Sequence, residues 1–507
     1  MLKKRSKHNL SYQNTLSFDM GQLVPVCSQE VNPGDTLEIQ STAVLRTAPL
    51  LAPIMHNVDA YMHWFFVPHR IVFDEWEDFI TKGFDGTTEV PYPVMRTPAE
   101  GYEINTLADY LDVPTNFTYL DDQGVRHKVV IGNFEFSALP FRSYAQIIND
   151  YYLNENFQEY LPLDKGSGLD TTTNTELKNR NWRKDYFTSM LPTQQRGPVV
   201  TMPLGTEAPV NWTIDNPVSG VDGQGITPNV VYTSASNIGH YFAPFPDSES
   251  GTGPVPIKTT ADLSNSSLFT LPALYLATSV QNWMQKNNRG GVRLIEFILE
   301  HFGVKSSDAR LQRSEYLGGG KAPIIVSEVL QTSSTDSTSP QGNMSGHGYT
   351  IQGMPRIKKS FEEHGYVMCI MSVLPKTAYM QGCPAHLNRR TPFDYFFPSF
   401  AHLADRGVPI KEVYAAAPNP EETFGFIGMY DEFRQNLDKV HGEFKESLSY
   451  WNMARKFNSA PALNEEFINA DPTKRVFPVT DEPGIYAEIY HNMISTSLVP
   501  KKAVPRL

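Results

Sequence analysis

Four segments of this 507-residue chain have the content of long β-strands, yet they lie far apart along it. Residues 35–47 (DTLEIQSTAVLRT), 58–68 (VDAYMHWFFVP) and 364–375 (HGYVMCIMSVLP) are rich in β-branched and aromatic residues and are bounded by Pro, Gly or Asp. A fourth, 485–499 (IYAEIYHNMISTSLV), brings the last strand close to the C-terminus. A sheet made from these four joins the two ends of the chain, so everything between must leave and return as long excursions. That organisation predicts one domain over residues 1–507 with large insertions. The 38 Pro and 34 Gly, neither periodic nor concentrated, fit many turns and long ordered connections.

Helical patterning is confined to the excursions. Residues 137–160 place Phe141, Tyr144, Ile147, Ile148, Tyr151 and Tyr152 at three- and four-residue steps, with Pro140 suited to a first turn. Residues 271–286 repeat the device, Gly290-Gly291 separates them from a further helix over 292–302, and a weaker helix is predicted over 443–456. Two stretches read as exposed loop. One runs from Gly205 to Ser267 and is rich in Gly, Pro, Ser, Thr and Asn; the other, 332–348 (TSSTDSTSPQGNMSGHG), is nearly free of apolar groups. Loops of such length are functional surface or disordered rather than idle connections.

Charge is unevenly distributed. The chain is formally −12, which argues against a protein that coats nucleic acid over its whole surface. Residues 1–18 nevertheless hold Lys3, Lys4, Arg5 and Lys7 with no acid, and 489–507 hold Lys501, Lys502 and Arg506 with no acid. Both ends are basic arms on an acidic body, although short basic termini are also commonly just solvated. Three cysteines, Cys27, Cys369 and Cys383, are too widely spaced for a CxxC unit and fit a reducing cytoplasm. The basic start has no apolar stretch behind it, and no run approaches eighteen apolar residues, so neither a secretion signal nor membrane insertion is expected.

Motifs for chemistry fail on inspection. Gly318-Gly319-Gly320-Lys321 resembles a phosphate loop only superficially, because Glu315 stands where the first Gly is needed and Ala322 and Pro323 follow the Lys; a flexible turn is the expected reading. His56, His63 and His69 are spaced by seven and six along an extended segment, which does not converge ligands, so aromatic packing or a subunit contact is expected rather than a metal site. There is no GxSxG elbow, HExxH helix or EF-hand loop. No enzymatic activity, cofactor or metal is expected.

The segments 19–26 (DMGQLVPV), 30–35 (EVNPGD) and 48–64 (APLLAPIMHNVDAYMHW) resemble the opening of the major capsid proteins of Microviridae, the gokushovirus group in particular. Similar stretches follow in the same order: 139–152 (LPFRSYAQIINDYY), 183–192 (RKDYFTSMLP), 289–317 (RGGVRLIEFILEHFGVKSSDARLQRSEYL), 331–335 (QTSST), 340–343 (PQGN) and 360–365 (SFEEHG). The resemblance spans roughly residues 20–430 and weakens after about Phe433. It implies a mainly β fold, an eight-stranded antiparallel jelly-roll β-sandwich with long loop and helical insertions. It implies sixty copies in a T=1 icosahedral virion around circular single-stranded DNA, assembled in the bacterial host cytoplasm. The implied partners are other copies of the chain, the genome, an internal scaffolding protein, a small basic DNA-packaging protein, a pilot protein and a host surface receptor. A surface insertion at the threefold axes is also implied, and Gly205 to Ser267 is its best match, serving host attachment.

Within that reading, Lys3, Lys4, Arg5 and Lys7 are expected to face inward onto DNA phosphates, with Lys501, Lys502 and Arg506 as a second group, and many copies on one enclosed polymer act multivalently. Two other classes remain. A jelly-roll binding module or sugar-processing enzyme would need a concave face with exposed aromatics and a carboxylate pair. A dedicated single-stranded DNA binder would stack bases on Tyr12 and Phe18, against the grain of the acidic body. The aromatic run 393–400 (FDYFFPSF) is expected to divide between the chain's own core and subunit contacts.

Overall fold

A computed structural model describes residues 5–84, 87–195, 197, 210–214, 257–261, 271–290, 300, 313–330, 344–401 and 405–502. Two antiparallel sheets dominate it. The larger is built from β1 (Ser6–Asn9), β2 (Tyr12–Phe18), β4 (Thr36–Thr47), β7 (Ile325–Leu330), β8 (Met344–Gly353), β9 (Ile357–Ser360) and β11 (Ile485–Ser497). The smaller runs in the order β6 (Glu315–Pro323), β5 (Val58–Pro68), β10 (Gly365–Pro375) and β3 (Val24–Val31). All four segments predicted as strands are strands, shortened by one residue at position 35, one at 364 and two at the end of the last. The fold is the mainly β sandwich expected. Among the described residues its two main sheets hold seven and four strands, with β1 and β2 both paired to β11 and β8 and β9 both paired to β4.

The sequence pattern explains the layering. In β11 every second side chain from Ile485 to Ser497 is buried, and the intervening Tyr486, Glu488, Tyr490 and Asn492 are exposed. The inward set meets Leu37, Ile39, Ala43 and Leu45 of β4 and, across the sandwich, Met62 and Trp64 of β5 and Val367 and Met371 of β10 in one core cluster. Trp64 is wholly buried, with its ring edge-on to His491 at 5.6 Å.

The smaller sheet is covered on its other face as well. Helix α1 (Leu139–Ile147) lays Leu139, Phe141, Tyr144 and Ile147 against Phe65, Val67, Met368 and Ile370. The Tyr144 hydroxyl donates to the Leu23 carbonyl at 2.9 Å. The predicted helix over 137–160 therefore exists, but it widens to a π turn over Ile148–Tyr152 and then stops. The helix predicted from 271 is α2 (Leu271–Gly290), four residues longer than expected; that predicted over 292–302 lies outside the described residues apart from residue 300.

Three expectations are corrected. Residues 443–456 form single 3-10 turns, Gly442–Lys445 and Ser449–Trp451, because the Arg475 guanidinium donates to the carbonyls of Ser449, Asn452 and Ala454, which a continuing helix would use itself. The Gly-rich stretch 318–321 is no flexible turn. It is the middle of β6, where a Cβ at Gly319 would lie 2.8 Å from the Met62 carbonyl, so glycine permits close approach of strands. The second predicted loop ends early, since 344–348 belong to β8 and a Cβ at Gly346 would lie 2.6 Å from the Ala52 carbonyl. Residues 332–343 are outside the described set.

The chain divides into two compact units, Met1–Arg196 with Gln285–Leu507, and Gly197–Met284. The second contains a backbone hairpin pairing Val210–Ile214 with Ile257–Ala261, which closes the segment between Gly205 and Ser267; the remainder of that segment lies outside the described residues.

Candidate nucleic-acid interface

The two basic ends meet on one sheet. Strand β1 lies antiparallel to the end of β11, with Lys7 opposite Thr496, and the His8 ring bonds the Val499 carbonyl at 2.9 Å. This register brings Arg5 and Lys7 to the end of β11, from which the chain continues to Lys501 and Lys502; all four are exposed. The Arg5 guanidinium reaches the turn at Gly34, 3.5 Å from where a Cβ would stand. None of these four bases forms an ion pair with the described residues. Lys3, Lys4 and Arg506 lie outside the described residues.

The solvent face of the larger sheet continues this basic edge. Tyr486 pairs with Arg46, which pairs with Tyr349, and the Arg46 guanidinium sits 5.9 Å from the Tyr349 ring centre. Two residues along, Glu488 receives a 2.6 Å bond from Gln13, and beyond it Tyr490 stands opposite Thr42 with half its surface in water. At the Lys7 end, Glu38 is engaged by Lys358 at 2.8 Å and by Arg356. Hydrogen bonds from Lys358 and then Arg356 hold the Glu38 carboxyl down at about 2. Arg5, Lys7, Arg46, Arg356 and Lys358 thus outnumber Glu38 and Glu488, so an acidic chain presents one locally cationic face carrying tyrosines. Cations on a sheet beside exposed rings can hold phosphates electrostatically and bases by stacking.

Of the residues singled out from the sequence, Lys7 lies on this sheet with Arg5 just before its strand; the middle of the face was not anticipated. Arg46, Tyr349, Arg356, Lys358, Tyr486 and Tyr490 are brought together only by strand pairing between distant segments. The available signal was the alternation in β11, which puts two tyrosines at positions where a half-buried strand has polar residues. Phe18 is corrected: it is 1% exposed and part of the sandwich core. Tyr12 stays exposed, with its ring 5.1 Å from that of His491.

The other sites considered do not converge. His56 bonds the Lys376 carbonyl, His63 bonds the Tyr152 hydroxyl at 2.7 Å, and His69 packs against Trp76 and Tyr366. Burial lowers His63, His69 and His491 alike to about 4, so each ring is neutral. Cys27 and Cys369 are cross-strand neighbours, both buried free thiols, and burial pushes Cys27 up to about 12. A cavity of about 480 Å³ lies beside His63, Tyr152, Arg180 and Asn181, with the Arg180 guanidinium 4.0 Å from the Tyr61 ring centre. No helix among the described residues is long and apolar enough to cross a membrane.

Residues 2–507 match the family described as capsid protein (F protein). Similar proteins include capsid protein VP1 of Chlamydia phage 1, 32% identical over 99% of this chain and 96% of that one, and capsid protein VP1 of Bdellovibrio phage phiMH2K, 32% identical over 96% and 92%. Capsid protein VP1 of Spiroplasma virus 4 is 30% identical over 99% of this chain and 95% of its own length.

Proposed function

The chain belongs to the capsid protein (F protein) family, and on that premise we propose that it is the major capsid protein of a small single-stranded DNA phage, sixty copies closing a T=1 icosahedral shell around a circular genome. The observation that carries this reading is the match to the capsid protein family across residues 2–507. Its role is structural, in the virion, after assembly in the bacterial cytoplasm with an internal scaffolding protein, a small basic packaging protein and a pilot protein. The segment from Gly205 to Ser267 serves host attachment.

The bare face of the larger sheet is turned to the genome. Its support is that β1, carrying Lys7, joins the sheet whose outer side chains include Arg46 and Lys358, with Arg356 beside them, in an otherwise acidic chain. Lys3, Lys4, Arg5 and Lys7 hold phosphates there, together with Lys501, Lys502 and Arg506. Each copy contributes few contacts, and the closed shell makes them multivalent.

The test is expression with the phage partners, followed by electron microscopy and measurement of particle DNA. Wild-type protein is expected to form uniform T=1 shells. Replacing Lys3, Lys4, Arg5 and Lys7 together by Gln is expected to leave shell number unchanged and to lower DNA per particle. Only monomers from the wild type would overturn the shell reading; full DNA content in the variant would overturn the genome-facing role of the arm.

A further inference from the structure

Ten consecutive residues, 390–399, are all exposed, and they carry four rings: Phe393, Tyr395, Phe396 and Phe397. Phe433 joins them from the neighbouring turn. These five are 69%, 56%, 52%, 43% and 57% exposed, far above what a chain's own core leaves in water. The rings form a connected surface. Phe393 and Phe397 each lie 6.0 Å from Phe400, Phe396 lies 6.3 Å from Phe433, and the Arg389 guanidinium stacks on both Tyr395 and Phe433 at 5.2 and 4.8 Å.

The surface is built, not merely frayed. The Asp394 carboxylate accepts from the backbone N–H groups of Arg390 and Thr391 at 2.7 and 2.6 Å, fixing the turn that opens the run. The Tyr430 hydroxyl donates to the Tyr395 carbonyl at 3.1 Å and accepts from the Phe397 N–H at 3.3 Å, holding the backbone between the rings. Rings fixed in place lose little further freedom on association, and aromatic residues with arginine are the side chains that concentrate binding energy at protein interfaces.

We infer that the aromatic surface of residues 389–400 and 433 is a contact that one copy of the chain makes with a second copy. Area supports this occupant. At roughly 200 Å² per ring residue, a little over half exposed, the five leave about 550 Å² in water. That is about two-thirds of the roughly 800 Å² per partner that a stable protein interface buries. A small ligand would cover a fraction of it, and a subunit edge covers it whole. The inference rests on the shell reading, since it names where the copies meet.

The full chain is produced with its phage partners as wild type, as the double variant Phe396→Ser with Phe433→Ser, and with a photo-reactive phenylalanine analogue at position 396. Particle yield, sedimentation, circular dichroism and thermal melting of the unassembled protein are measured. The double variant is expected to keep the wild-type spectrum and melting temperature and to lose assembled particles at least tenfold. The photo-probe is expected to give a covalent product of two copies of this chain. Wild-type particle yield from the variant overturns the inference, as does a cross-link confined within one chain. A variant whose unassembled form melts far below wild type also overturns it, because the rings then serve the chain's own fold. Absence of particles from the wild type overturns the shell reading, and the inference falls with it.

Discussion

The two sheets use the same strand chemistry and treat their outer faces in opposite ways. In β10 of the smaller sheet nearly every residue from Gly365 to Pro375 is buried, because one face meets the other sheet and the other lies under α1 and its neighbours. In β11 of the larger sheet burial alternates residue by residue, and the outward side chains from Tyr486 to Asn492 are exposed. An antiparallel sheet tolerates a bare face if that face is polar. Here its outward side chains on β1, β4, β9 and β11 include cations and tyrosines, while Ile325, Val329 and Ile351 are exposed on β7 and β8, so the covered sheet supplies rigidity and the other supplies a surface.

That contrast predicts a sharp difference in what substitution does. The largest effect falls under the covered sheet. Arg142 of α1 is wholly buried, its Nε donating to Asp170 at 2.8 Å and its Nη1 to the carbonyls of Val72 and Gly166. Arg142→Ala removes a cation and leaves the Asp170 carboxylate buried without it, a loss of about 3–5 kcal/mol in denaturant unfolding of the unassembled chain. A loss under 1 kcal/mol would mean that the layer over the smaller sheet is dispensable.

Acid sharpens the same comparison. His63 and His69 lie on the covered side and His491 between the sheets, each lowered by burial to about 4. Unfolded, each binds a proton near pH 6.5, so between 6.5 and about 4 the unfolded chain holds more protons than the folded one. Stability is then fully present above 6.5 and falls as pH drops, by up to about 1.4 kcal/mol per pH unit for each histidine. Chemical denaturation between pH 7 and 4.5 checks this, and His491→Asn is expected to shallow the slope by about one proton.

Glycines give a matched pair. A Cβ at Gly319 of β6 meets the His63 ring and Tyr316 hydroxyl at 2.5 Å, whereas one at Gly353 of β8, on the bare face, meets nothing within 4 Å. Gly319→Ala is expected to cost about 1–3 kcal/mol through overpacking, and Gly353→Ala to be neutral or stabilising by about 0.5 kcal/mol. Thermal melting of the two variants side by side decides it.

How much of this was legible in the sequence follows from the same contrast. Strands β4, β5, β10 and β11 were readable because β-branched and aromatic runs bounded by turn residues leave few alternatives. Strand β6 was not, because EYLGGGKAP lacks strand composition and is held by its pairing to β5. Residues 443–456 failed in the opposite sense, with helical local content overridden by the distant Arg475. The candidate interface was half legible. Charge runs at the two ends are a local feature, while Arg46 beside Tyr349 and Tyr486 exists only once residues more than a hundred apart share a register.

The smallest effects on stability belong to the bare face, and there they carry the most functional information. Arg46→Gln and Tyr490→Ala remove exposed side chains that the core does not use, so each is expected to shift unfolding by about 0.5 kcal/mol or less. Their effects on single-stranded DNA binding by the full chain should differ in kind. A cation on a phosphate contributes through counterion release, so losing Arg46 should reduce the dependence of log K on log salt by about 0.7. A ring under a base contributes stacking, so losing Tyr490 should weaken binding several-fold at every salt concentration and leave the slope unchanged. Titrations of a short oligonucleotide at four salt concentrations separate the two. If neither slope nor affinity moves, the exposed face is bare for some reason other than the genome, and the contrast between the sheets reduces to packing alone.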